Sequence, residues 1–138
     1  MADHNSVIEG DKIIQTALDK YGRIDILINN AGVGPRGAFR HRKDEEWNMT
    51  LDTHLFGAFK CTKAAWQHMR EKGYGRIINT SSNAGLYGSH GLVDYSTAKS
   101  GINGFTMSLA LEGAKKNILT NSVAPLADTR MLRVLKKR

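Results

Sequence analysis

The chain has 138 residues, of which 41% are hydrophobic and 24% charged, and a formal net charge of +7 at pH 7. That length supports one domain, no apolar run approaches the roughly 20 residues of a membrane span, and the single Cys61 has no partner for an internal disulfide. The composition predicts a soluble globular protein of a reducing compartment. Its basic excess is partly a tail effect: Arg130, Arg133, Lys136, Lys137 and Arg138 lie in the last nine positions, without the aromatic interleaving or zinc spacing of a nucleic-acid module.

The first element in chain order is a helix, with Val7, Ile13, Ile14, Ala17, Leu18 and Tyr21 on one face, and the following run "RIDILIN" predicts a buried strand. A glycine-rich loop comes next. From Asp44 to Lys72 the steps of three and four between Trp47, Leu51, Leu55, Ala58, Phe59, Thr62, Ala65, Trp66 and Met69 predict a long helix. Acidic residues occupy its first turn and "KGYG" ends it. "RIINTSS" predicts a second strand, "NAGLYGSHGLVD" a loop, "YSTAKSGINGFTMSLALEGAKK" a second long helix closing near Gly113, and "NILTNSVAP" a third strand. Strands alternating with helices predict a single α/β domain over 1–138, its parallel sheet faced by helices.

Tyr95 and Lys99 stand four residues apart on a predicted helix, so both side chains leave the same face. A phenol is a poor base at neutral pH, and an ammonium close by favours the phenolate, which makes such a pair usable for proton transfer. Ser82 lies thirteen positions earlier at a predicted strand end, where a hydroxyl reaches a loop-side cleft and can bond a substrate oxygen.

With "NNAG" at 29–32, Ser82, "YSTAK" at 95–99 and "NSVAP" at 121–125 in this order, the chain resembles the short-chain dehydrogenases/reductases over its whole length. The resemblance implies a Rossmann-like doubly wound sheet and hydride transfer between NAD or NADP and a secondary alcohol or ketone, with NAD favoured. It gives Ser82 the substrate oxygen, Tyr95 the proton, and Lys99 the nicotinamide ribose and the tuning of Tyr95. Asn29, Asn30, Ala31 and Gly32 would line the adenosine half of the cofactor, and Pro125 would begin the segment over the nicotinamide, although Leu126 replaces the usual glycine and Thr129 comes one residue early. No metal is implied.

Longer runs, "GAFKCTKAAWQHMREKGYGRIINTSSNAGLYGSHG" and "APLADTRM" among them, look like the D-3-hydroxyacyl-CoA dehydrogenase domains of peroxisomal multifunctional enzymes of β-oxidation. This resemblance implies an acyl-CoA substrate and a peroxisomal location, with the cytosol left open because "KKR" is not a terminal signal of the S-K-L type. Where most of the family has an asparagine that relays protons to the lysine, this chain has His54, with a relay role and a structural role both open. Family habit also implies a homodimer or larger homo-oligomer built on the two long helices, through Phe56, Phe59, Trp66, Phe105 and Met107.

Gly32, Gly34 and Gly37 have the G-x-G-x-x-G spacing of a dinucleotide fingerprint, but Pro35 and Arg36 interrupt it. The acid expected about twenty residues on, Asp52, falls inside a predicted helix rather than at a strand end. The spacing is therefore expected to be coincidental. By resemblance the chain matches the middle half of a family member, without the first strands and their phosphate-binding glycines. Two readings follow: the catalytic segment of a dehydrogenase, or a non-catalytic module that associates through its helices.

Overall fold

The computed structural model describes residues 9–34 and 36–126. Val7, Pro35, Thr129 and the basic tail lie outside them. In chain order the elements are α1 (Gly10–Tyr21), β1 (Ile26–Asn29), a 3-10 turn (Phe39–His41), α2 (Asp44–Leu51), a π turn (Asp52–Phe56), α3 (Gly57–Lys72), β2 (Gly75–Thr80), α4 (Asn83–Tyr87), α5 (Val93–Gly113), a second 3-10 turn (Ala114–Lys116) and β3 (Ile118–Val123). No helix among the described residues is long and apolar enough to cross a membrane.

The strands form one parallel sheet in the order β1-β2-β3, with Leu27 opposite Ile77 and Ile77 opposite Thr120. Side chains alternate between the faces of a pleated sheet, so Leu27, Ile77 and Ile118 point to one side and Ile26, Ile28 and Leu119 to the other. The first set is buried under the helices, where Ile14 of α1 and Cys61, Ala65 and Met69 of α3 complete an apolar core. The second set is exposed, with Ile26 and Ile28 each 59% accessible.

Two elements differ from the sequence expectation. The predicted Asp44–Lys72 helix contains the π turn, in which the Gly57 N–H reaches back to the Asp52 carbonyl oxygen, five residues earlier. Such a turn inserts one extra residue and re-aims the side chains around it, and here Thr53 and His54 both point inwards. The predicted 83–94 loop contains α4, because the Ser82 hydroxyl accepts the Ala84 N–H and supplies the cap a short helix needs.

A chain of buried amides and hydroxyls ties the sheet to its helices. Asn29 and Asn79 are register partners, so their side chains share the covered face, and the Asn29 amide donates to Asn79 at 2.8 Å and to Thr62 of α3 at 3.1 Å. The Asn79 amide in turn donates to Thr106 of α5 at 2.9 Å. Asn79 is fully buried, and each such bond spares the penalty of an unpaired polar group, ~1–3 kcal/mol.

Candidate active site

Parallel strands bring their C-terminal ends to one side of the sheet, where open α/β folds gather ligand-binding residues. Asn30 follows β1 there, Ser81 and Ser82 follow β2, and Pro125 follows β3. The Thr80 hydroxyl donates to the Asn30 side chain at 2.9 Å, joining the ends of β1 and β2.

Tyr95 and Lys99 lie on α5 as their spacing predicts. The Lys99 ammonium stands 5.6 Å from the Tyr95 ring centroid, and the His54 ring meets Tyr95 edge-on with centroids 5.0 Å apart. Sequence reasoning placed His54 near this pair only by resemblance; the π turn is what carries it there.

Lys99 is 3% exposed, and its ammonium donates to the Thr80 carbonyl oxygen. Burial disfavours the charged form and lowers its pKa from 10.5 to about 8, so at neutral pH the side chain is still mostly a cation. His54 is 5% exposed. Its pKa is pushed down from 6.5 to about 4, first by burial and second by the Lys99 charge, against the opposing hydrogen bond to Val33 and the negative charge of Asp94.

His54 is therefore neutral at pH 7. Its Nε2 lies 2.6 Å from the Val33 carbonyl oxygen and 3.2 Å from the Val33 backbone nitrogen. The shorter contact assigns the proton to Nε2, and Nδ1 is then a buried acceptor without a hydrogen-bond partner among the described residues. Gly32 packs on the same ring: a Cβ there would fall 2.6 Å from His54 Cε1, so the N-N-A-G glycine is fitted to the histidine.

The proposed adenosine-side residues divide into two kinds. Asn29 turns inwards and braces the sheet, whereas Asn30 and Ala31 face outwards; all three border a cavity of about 140 Å³ that Thr53 and His54 also line. Among the described residues the Thr53 hydroxyl and His54 Nδ1 are buried without a hydrogen-bond partner and closed to solvent. Gly32, Gly34 and Gly37 lead into the 3-10 turn at Phe39 and not to the N-terminus of an α-helix, so they do not build the anion cradle of a dinucleotide fingerprint.

Ser82 is half-buried at the start of α4, where its hydroxyl lies 3.2 Å from the Asn83 side-chain oxygen as well as capping Ala84. The helix rests directly on Lys99. A Cβ on Gly85 would fall 2.6 Å from the Lys99 backbone carbon, and Ser100 donates to the Gly85 carbonyl at 2.6 Å. Gly85→Ala is expected to destabilise the protein by about 2 kcal/mol through overpacking against backbone. Gly104→Ala, in the same α5 but with nothing among the described residues within 4 Å of the new methyl, is expected to stabilise it by ~0.5–1 kcal/mol. Urea denaturation of both variants measures the contrast, and two changes of the same sign contradict the packing of α4 on α5.

The sequence did not announce the backbone partners of the site, Thr80 and Val33 through their carbonyls, because a main-chain acceptor leaves no residue-type signal. Asn79 was findable: the alternation in "RIINT" puts it on the same face as Ile77.

A parallel sheet with Ser82 just beyond β2 and Tyr95 and Lys99 on α5 is a Rossmann-like α/β arrangement. The short chain dehydrogenase family profile matches residues 2–138, and the chain belongs to that family. It is 48% identical over 131 residues to the peroxisomal multifunctional enzyme type 2 of Drosophila melanogaster, covering 95% of this chain and 22% of that protein. It is 50% identical over 131 residues to the peroxisomal hydratase-dehydrogenase-epimerase of Neurospora crassa, covering 95% of this chain and 15% of that one. The crystal structure of a short-chain dehydrogenase from Streptomyces avermitilis superposes with a TM-score of 0.84 at 34% identity, covering 91% of this chain and 46% of the other. The chain thus spans less than half the length of each of these proteins.

Proposed function

We propose that this chain is the catalytic segment of an NAD(P)-dependent dehydrogenase acting on a 3-hydroxyacyl-CoA or the corresponding ketone. The observation that carries the reading is the approach of both the Lys99 ammonium and the edge-on His54 ring to Tyr95. The substrate class rests on the resemblance to D-3-hydroxyacyl-CoA dehydrogenase domains and on the dehydrogenase named in the Neurospora relative. A peroxisomal location rests on the names of the same relatives.

In this mechanism the Tyr95 hydroxyl exchanges a proton with the substrate oxygen, and Ser82 turns its hydroxyl from Asn83 to bond the same oxygen. Lys99 holds its charge beside Tyr95 and binds the nicotinamide ribose. Bound NAD or NADP supplies the hydride acceptor or donor. Asn30 and Ala31 border the adenosine side, Pro125 the nicotinamide side, and neutral His54 either relays protons or braces Tyr95.

A second reading has specific support. Phe59 of α3 and Phe105 of α5 pair at 6.5 Å, and Phe56, Phe59, Met107 and Leu111 are exposed apolar side chains, Leu111 at 82%. This exposed apolar surface suits packing against a second copy. Trp66, expected to be part of it, is instead partly buried against the core.

Calorimetric titration with NAD and then NADH tests the two readings. Micromolar binding that Lys99→Ala weakens and Tyr95→Phe largely preserves is the expected result for a catalytic segment, with turnover of a 3-hydroxyacyl-CoA to follow. Absence of heat up to millimolar cofactor favours the module that only associates.

A further inference from the structure

The residue before Tyr95 is Asp94, whose carboxylate is fully buried in the first turn of α5. An ionised carboxylate is not buried without compensation, and its partners come from elements far away in the chain. Thr50 of α2 donates to Asp94 Oδ2 at 2.9 Å, and Arg42, whose side chain is 3% exposed, places Nη2 3.5 Å from Oδ1. The same Nη2 lies 3.3 Å from the Gly37 carbonyl oxygen and 3.2 Å from that of Gly91, while Nη1 lies 3.4 Å from Glu46. The Gly37 N–H also donates to the Gly91 carbonyl at 3.0 Å.

One guanidinium thus gathers the loop after β1, the loop before α5, and the turn of α5 that carries Tyr95. We propose that the buried Arg42–Asp94 pair is a positioning device for Tyr95, fixing the start of α5 against α2 and holding together the two loops beside the site. Arg42 acts through Asp94, the residue next to Tyr95 in the chain, and through the Gly91 carbonyl. A planar fork suits this task because it serves a carboxylate and two backbone carbonyls at once, which a lysine ammonium at the end of a flexible stem does not.

The proposal rests on Tyr95 as the proton-transferring group, but its test needs neither cofactor nor turnover, so the two readings fail separately. The chain is labelled with ¹³C-tyrosine, the Tyr95 ring peaks are assigned with Tyr95→Phe, and Arg42→Lys, Arg42→Met, Asp94→Asn and the double variant R42M/D94N are compared by NMR and urea unfolding. The Tyr95 peaks are expected to move in Arg42→Lys and in R42M/D94N while those of Tyr21, Tyr74 and Tyr87 stay in place. Each neutralising single replacement is expected to shift the unfolding equilibrium towards the unfolded state about tenfold or more, with the double variant recovering part of the loss. A structural ion pair alone moves the urea midpoint and leaves the Tyr95 peaks unmoved in Arg42→Lys and R42M/D94N; that result overturns the positioning role. Additive single replacements overturn the pairing, and if Arg42→Met does not fold, Arg42→Lys alone decides the positioning.

Discussion

Lys99→Met is expected to make the protein more stable at pH 7 by on the order of 2 kcal/mol while removing the group that the proposed chemistry needs. The ammonium is buried and loses hydration, and among the described residues it forms no ion pair with a carboxylate; it donates to the Thr80 carbonyl oxygen. The drop from 10.5 to about 8 corresponds to a cost of about 3 kcal/mol, and loss of the hydrogen bond to Thr80 takes back ~1 kcal/mol.

The sign also sets a pH dependence. Between about 8 and 10.5 the unfolded chain keeps a proton that the native Lys99 has released, so wild-type stability rises with pH through that window, and the burden is fully present below it. Urea midpoints at pH 7 and pH 10 test this: the difference between wild type and Lys99→Met should shrink as pH rises. A less stable Lys99→Met at pH 7 would mean that the Thr80 contact outweighs desolvation. The same variant removes the second cause of the low His54 pKa, so the imidazole should titrate above about 4, which histidine NMR reads directly.

The second large effect is acid sensitivity through His54. Its native pKa of about 4 lies below the 6.5 of an unfolded chain, so between these values the unfolded state binds a proton that the native state refuses. Stability contributed by the neutral ring is complete above about pH 6.5, falls as pH drops through the window, and is lost below about pH 4, a total of about 3 kcal/mol. Carboxylates titrate in the lower part of this range, so the informative quantity is the difference between wild type and His54→Asn. That variant keeps a polar side chain at the position and does not titrate. The wild type should lose about 3 kcal/mol more than His54→Asn between pH 7 and pH 4. Parallel stability curves would place His54 in contact with water and contradict its burial.

Both effects share a cause. Lys99 and His54 are held in one water-poor corner under Thr80 and Val33, and the Lys99 charge is itself part of what keeps His54 neutral. Charged and neutral partners kept close at the expense of stability are common where proton transfer is the task, and that supports the catalytic reading over one of pure association.

The sequence by itself determined the alternation of three strands with helices, because apolar periods of two and of three to four residues are local and survive without tertiary context. It also determined the Tyr95–Lys99 pairing, since a spacing of four on a helix is a geometric fact. The rejection of the Gly32-Gly34-Gly37 spacing followed from what surrounds it in the chain. The tertiary structure decided what local pattern cannot carry. The π turn that swings His54 towards Tyr95 depends on how an inserted residue packs under the Val33 carbonyl, and no periodicity in "LDTHLFGAF" marks it. The inward turn of Asn29 arises only when β1 and β2 come into register, and the Arg42–Asp94 pair joins positions fifty-two residues apart in sequence whose types would each read as solvated surface. Long-range burial turns an ordinary charge into a constraint, because the cost of desolvation exists only once the other elements have closed around it.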